Sequence, residues 1–139
     1  MESAAGRLPA RAPRETGMAQ EPLATKGNFL HIYDFTIHPG VEEEFIREFE
    51  DFDYSDGNPM HKSWAQVKDG VLLRDEENPL RFYLIAEWKD IEEHAKIRKI
   101  LAEEIKPSFI RHIVGGKFVP RYAKVVSSTP DEILAKAAG

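Results

Sequence analysis

The chain has 139 residues, no cysteine, 42% hydrophobic residues and a formal net charge of -5. Such a length suits one domain held by packing alone, because disulfides, thiolate metal sites and a cysteine nucleophile are all excluded. No basic stripe is visible that would displace counterions from phosphates, and no apolar run approaches the roughly 20 residues that span a bilayer. Neither nucleic acid nor membrane is an expected partner, and a soluble, cytoplasmic protein is expected.

Residues 1–27 combine Ala, Gly, Pro and Arg with almost no large apolar side chains, so they are expected to form a disordered tail. Glu2, Glu15 and Glu21 and the lack of an apolar face argue against a transit peptide, and there is no apolar h-region for secretion. The domain proper is placed at 28–126, with 127–139 a polar, alanine-rich C-terminal tail able to form a short frayed helix.

Asn28 to Ile37, NFLHIYDFTI, alternates with period two. Phe29, His31, Tyr33, Phe35 and Ile37 share one face, and Leu30, Ile32, Asp34 and Thr36 the other, so a central strand with both faces covered is predicted. His38-Pro39-Gly40 turns the chain. Val41 to Phe52 places Val41, Phe45, Phe49 and Phe52 on one helical face, opposite glutamates that read as a solvated face. Asp53 to His61 is a loop by composition.

Ser63 to Asp75 is strand-like at both ends, and Asp69-Gly70 permits either a hairpin turn or, the reading favoured here, a bulge within one bent strand. It is predicted to pair antiparallel with Leu80 to Trp88, beyond the turn at 76–79. Asp90 is placed as the N-cap of a helix carrying Ile91, His94, Ala95, Arg98, Leu101, Ala102 and Ile105 on one face. Pro107 opens a second helical piece closed by Gly115-Gly116. Lys117 to Val126 is a last strand, at an edge because of Pro120.

The order strand, helix, strand, strand, helix pair, strand is the α+β ferredoxin-like split βαβ arrangement with an antiparallel sheet. Its wording adds a resemblance. HPGVEEEFIREFEDF and GVLLRDEENPLRFYLIAEWKDIEEHAK are similar to antibiotic biosynthesis monooxygenase-like domains of the dimeric α+β barrel superfamily, most specifically at Pro39-Gly40 and Glu87-Trp88. The resemblance implies a homodimer whose two sheets pack face to face into a barrel. It also implies a choice among cofactor-independent oxygenases of quinols and polyketide aromatics, haem-degrading enzymes, polyketide cyclases and many members with no known reaction.

Two of these are disfavoured residue by residue. The register from Trp88 puts Ile97 and Pro107 where the haem-degrading members carry Trp and His, and Glu103 and Ile97 where the cyclase members carry His and Tyr. One reading that the resemblance implies is a cofactor-free monooxygenase-like protein that binds a small aromatic or quinol between sheet and helices. His31 or His94 would be the proton acceptor, and Tyr33, Trp64, Tyr83 and Trp88 the cavity walls. No cofactor and no metal are expected, since the five histidines show no i, i+4 pair. The alternative is a non-catalytic dimeric binding or structural module, in which the histidines are satisfied core residues and the aromatics only pack.

Overall fold

The computed structural model describes residues 20–138, with side chains described for 20–136. The described residues fall into two compact units, Gly27–Lys124 and a second one drawn from 20–26 and 125–138.

The larger unit is built on an antiparallel sheet. Strand β1 (Phe29–Thr36) is followed by helix α1 (Glu42–Asp53), β2 (Gln66–Arg74), β3 (Arg81–Trp88), helix α2 (Ile91–Ile100) and β4 (Pro120–Lys124). The four strands lie in the order β2-β3-β1-β4, so β1 and β3 are central, with His31 opposite Ala86 and Tyr33 opposite Leu84. This is the expected ferredoxin-like arrangement. The expected closure into a barrel is corrected: among the described residues the sheet is open, with β2 and β4 as unpaired edges. Closure needs edge strands that meet. Here the outer strand β4 is five residues long and begins on Pro120, which has no N–H to offer a ladder.

The alternation of β1 is realised. His31, Tyr33, Phe35 and Ile37 are buried, whereas Leu30 and Ile32 are half-buried and Asp34 and Thr36 exposed. The outer face is therefore not the second buried layer that two apolar faces implied. It carries an ion pair instead, Arg81 Nη2 to Asp34 Oδ2 at 2.7 Å. Phe45 and Phe49 of α1 pack with Tyr33, Phe35, Ile37, Phe82, Phe109 and Ile113 to form the main core. A smaller cluster of Ala65, Ala86 and Trp88 takes in Met60 and Ile97.

Strand β2 is single and bent, with register shifts between Gln66 and Lys68 and between Lys68 and Val71. Gly70 sits at the bend, where an added Cβ would stand 3.3 Å from the Ile85 carbonyl oxygen. Helix α2 starts as predicted, Asp90 Oδ1 accepting from the backbone N–H of Glu92 and Glu93. Its end differs. Leu101–Ile105 widens into a π-helical turn that stops at Lys106 in the left-handed region, φ 52°. Ala95, Ala102 and Ile105 are exposed, so the buried face of this helix is narrower than the sequence pattern implied. A 3-10 turn, Ser108–His112, leads to Gly115 and Gly116, both at positive φ.

In the smaller unit the two tails are not independent of each other. Ser128 Oγ donates to the Ala24 carbonyl at 2.7 Å, and the C-terminal segment forms helix α3 (Asp131–Leu134). The disorder expected for 1–19 lies outside the described residues.

Candidate functional site

Three strands and one helix bring a connected set of polar and aromatic groups to the inner face of the sheet. β1 supplies His31 and Tyr33, β3 ends on Trp88, and β4 supplies Tyr122 opposite His31. One turn into α2, His94 faces them and is fully buried. The rings of His31 and His94 lie 4.5 Å apart, and those of His31 and Tyr33 5.0 Å.

The hydrogen bonds assign protons. The Trp88 indole N–H donates to His31 Nδ1 at 3.0 Å. An indole nitrogen can only donate, so Nδ1 accepts and the neutral ring carries its proton on Nε2. Burial, and then the neighbouring His94, push the His31 pKa down to about 3, which keeps the ring neutral at physiological pH. Its Nε2 is buried and, among the described residues, makes no hydrogen bond. An orphaned buried donor costs about 1–3 kcal/mol relative to a satisfied one.

His94 sits between two phenols. Its Nε2 is 3.2 Å from the Tyr33 hydroxyl and its Nδ1 is 2.7 Å from the Tyr122 hydroxyl. Burial, followed by the Arg98 charge, lowers its pKa to about 4, so it too is neutral. A neutral imidazole donates through one nitrogen and accepts through the other. Tyr33–His94–Tyr122 is therefore a chain along which a proton can pass by a change of tautomer, from buried Tyr33 to Tyr122, which is 37% exposed. Burial raises the Tyr33 pKa well above the usual phenol value, and the Arg98 charge partly offsets this.

His31 and Tyr33 line a cavity of about 50 Å³ between the sheet, α1 and the π-helical turn. Phe49, Phe52, Leu84, Leu101, Phe109 and Phe118 are its apolar walls. Asp53, Asn58, His61 and Asp69 form a polar margin. His61 spans that margin: Nδ1 lies 2.6 Å from Asp69 Oδ1 and Nε2 2.6 Å from the Asp53 carbonyl. Both partners only accept, so the ring donates twice when protonated. Burial opposes that charge, but the Asp53 carbonyl and Asp69 carboxylate prevail and raise the His61 pKa.

A second cavity of about 240 Å³ lies on the other side of Tyr33, Leu101 and Phe118, which line both spaces. Phe118 stacks on Tyr33 with centroids 4.0 Å apart and is the wall between the two.

Of the residues chosen from sequence, His31, Tyr33, Trp88 and His94 come together. Trp64 and Tyr83 do not. Trp64 is 63% exposed with Lys89 over its ring, and Tyr83 lies on the outer face, donating to Asp75 Oδ2 at 2.6 Å. Tyr122, Arg98, Phe118 and His61 were missed. Tyr122 could have been found only with β4 already paired to β1, whereas Arg98 stands four residues beyond His94 on the predicted helix face.

Among the described residues, Glu44, Glu48 and His112 could together hold a metal ion, their ligand atoms lying within 4.8 Å of one another. Glu44 and Glu48 were read as part of a solvated glutamate face. Instead, Arg111 Nη2 donates to Glu44 at 3.0 Å and to Glu48 at 2.6 Å. That guanidinium already balances the carboxylates, and a metal ion would have to displace it.

No protein-family model matches this chain, and no curated protein does. Solved structures do match. A ferredoxin-like protein from an uncultured marine organism, described as dimeric, superposes with a TM-score of 0.57 at 19% identity, covering 76% of this chain and 93% of its own. The fold is ferredoxin-like. A conserved protein from Methanosarcina mazei gives 0.53 at 15% identity over 79% of this chain and 96% of its own. A Bordetella bronchiseptica protein, provisionally named an antibiotic biosynthesis monooxygenase, gives 0.51 at 15% identity over 71% and 97%. These likenesses show the ferredoxin-like fold, and the open sheet corrects the expected membership of a superfamily of closed barrels. No helix among the described residues is long and apolar enough to cross a membrane.

Proposed function

We propose that this chain binds a small oxygen-bearing ring, of the phenol or quinol class, beneath β1 and moves a proton at its oxygen. The observation that carries the reading is the buried His31 Nε2–H with no acceptor, beside a cavity with aromatic walls. A ligand oxygen would satisfy that donor. Tyr33, on the same cavity, would exchange a proton with the ligand while His94 and Tyr122 pass it outward.

The roles differ from those expected of the two histidines. With Nδ1 engaged by Trp88, His31 is a hydrogen-bond donor rather than a base, and His94 accepts only through Tyr33. At about 50 Å³ the inner cavity is smaller than the roughly 150 Å³ that admits benzene elsewhere, so a ring enters only if Phe118 moves and joins it to the neighbouring space.

Cofactor-free oxygenation is the reaction proposed for such a ligand. Loss of a proton leaves an electron-rich carbanion, which gives its electron pair to dioxygen and forms a carbon–oxygen bond. The resulting peroxide takes a proton and loses water, leaving a quinone-type carbonyl. The monooxygenase name of the Bordetella protein favours this reaction over other proton transfers.

The second reading is a non-catalytic binding or structural module, favoured by the small inner volume. Either reading accommodates a homodimer through the half-buried outer-face residues Leu30, Ile32 and Ile85, and the ferredoxin-like marine protein is described as dimeric. The test is oxygen uptake with a quinol panel, alongside calorimetric binding of phenol. Binding that His31→Phe abolishes supports a ligand site, and oxygen uptake that Tyr33→Phe abolishes supports the enzyme. No saturable binding of any phenol leaves the structural module.

A further inference from the structure

The cavity of about 240 Å³ outside Phe118 has walls of Leu101, Ala102, Ile110, Phe118 and Val119 and two cations, Arg98 and Lys117, with no carboxylate among its lining residues. We infer that this cavity holds the carboxylate of a small aromatic acid, with Arg98 as its principal partner and the ring against Phe118 and Tyr33. The inference rests on the reading of a small-ring ligand and names its class.

Arg98 is the feature that asks for an anion. Its Nε and Nη2 both donate to the Phe118 carbonyl, at 3.1 and 2.9 Å. A guanidinium carries five N–H donors, so three are left unused. Among the described residues no carboxylate pairs with Arg98 or with Lys117, whereas Arg81 and Arg111 on the surface both have one. A half-buried charge without a counter-charge is costly, and a ligand carboxylate supplies both the charge and the planar two-oxygen acceptor that a guanidinium fits.

The position of Arg98 gives the anion a second consequence. Four residues after His94 on α2, its charge acts on His94, Tyr33 and Tyr122. The groups that face His94 are His31 and Tyr33 from β1, Trp88 from β3 and Tyr122 from β4. All of these are neutral, so Arg98 is the charge that disfavours a proton on His94. A carboxylate against Arg98 offsets that charge, and the base strengthens when the ligand is in place.

Benzoate, its neutral analogue benzamide, and phenol are titrated into the full chain and followed by calorimetry and by the His94 ring signals. The expected result is benzoate binding at least about tenfold tighter than benzamide. That preference is lost in Arg98→Gln and kept in Arg98→Lys, and the His94 pKa moves upward on benzoate binding. Equal affinity for benzoate and benzamide, or a preference that survives Arg98→Gln, overturns the inference. Because Arg98 also anchors the Phe118 carbonyl, exposed Lys117→Gln provides a second variant, expected to weaken benzoate and leave benzamide unchanged; an unchanged benzoate affinity counts against the anion site. Phenol separates the two readings. Phenol binding without a benzoate preference overturns only this inference. An Arg98-dependent benzoate preference without phenol binding supports the anion site and removes the role given to His31.

Discussion

The indole N–H of Trp88 and Nδ1 of His31 stand 3.0 Å apart, and this one hydrogen bond decides what His31 can do. It leaves the imidazole proton on the nitrogen that has no partner, so a residue that looked like a base in the sequence is a donor. Trp88→Phe keeps a large ring and removes the donor. Nδ1 is then buried and unpaired, and unfolding by urea should show a loss of about 1–3 kcal/mol. Phenol affinity should fall with it, because the Nε2–H tautomer is no longer enforced.

Protonation of the two neutral histidines opposes folding. Both pKa values lie below the ordinary 6.5, at about 3 for His31 and about 4 for His94. Below pH 6.5 the unfolded chain binds more protons at these sites than the folded chain, so stability is complete above that value and declines as pH falls toward 4. Denaturation midpoints measured across this window should fall steadily. A His31→Gln, His94→Gln double variant should be less stable at neutral pH but should show a flatter pH profile, and an unchanged slope would contradict the assignment of both rings as neutral.

His61 works with the opposite sign. Its pKa is raised, so its contribution is complete below 6.5 and is lost as pH rises through the folded value. The pair with Asp69 is partly solvated, and its worth is under about 1 kcal/mol. Asp69→Asn should weaken this alkaline decline, leaving the part that the Asp53 carbonyl maintains. Since the pair closes the margin of the inner cavity, the variant should also bind phenol faster at neutral pH, measured by stopped-flow quenching of tryptophan fluorescence.

Phe118 separates the two cavities by stacking on Tyr33 at 4.0 Å. Phe118→Ala joins them at a cost of about 2–4 kcal/mol, toward the low end because the ring is only half-buried. The joined space should accept rings that wild type excludes. A ligand-size series by calorimetry checks this, with the expected shift being toward bicyclic phenols.

Much of the fold was legible because its signals are local. The period-two run of β1, the Asp90 cap, the Asp69-Gly70 bulge and Pro120 at an edge all correspond to what the chain adopts. The site was half legible. His31 and Tyr33 follow from the register of one strand, and His94 from the face of one helix. Tyr83 misled because it alternates correctly but on the outer side, and β3 reads the same whichever face is buried. Tyr122 and Phe118 come from the segment after Gly115-Gly116, whose placement depends on which central strand it joins, and pairing partners leave no mark in a single sequence. The barrel misled for the same reason. Apolar residues on both faces of β1 record that the strand is central, and they do not state whether the sheet closes.

The role of His31 is tested most directly by its ring nitrogens. In a long-range nitrogen–proton correlation spectrum at neutral pH, the account predicts a neutral His31 protonated at Nε2, with that resonance moving as phenol is added and unmoved in Trp88→Phe. A His31 protonated at Nδ1, or an Nε2 signal indifferent to every phenol, would contradict it.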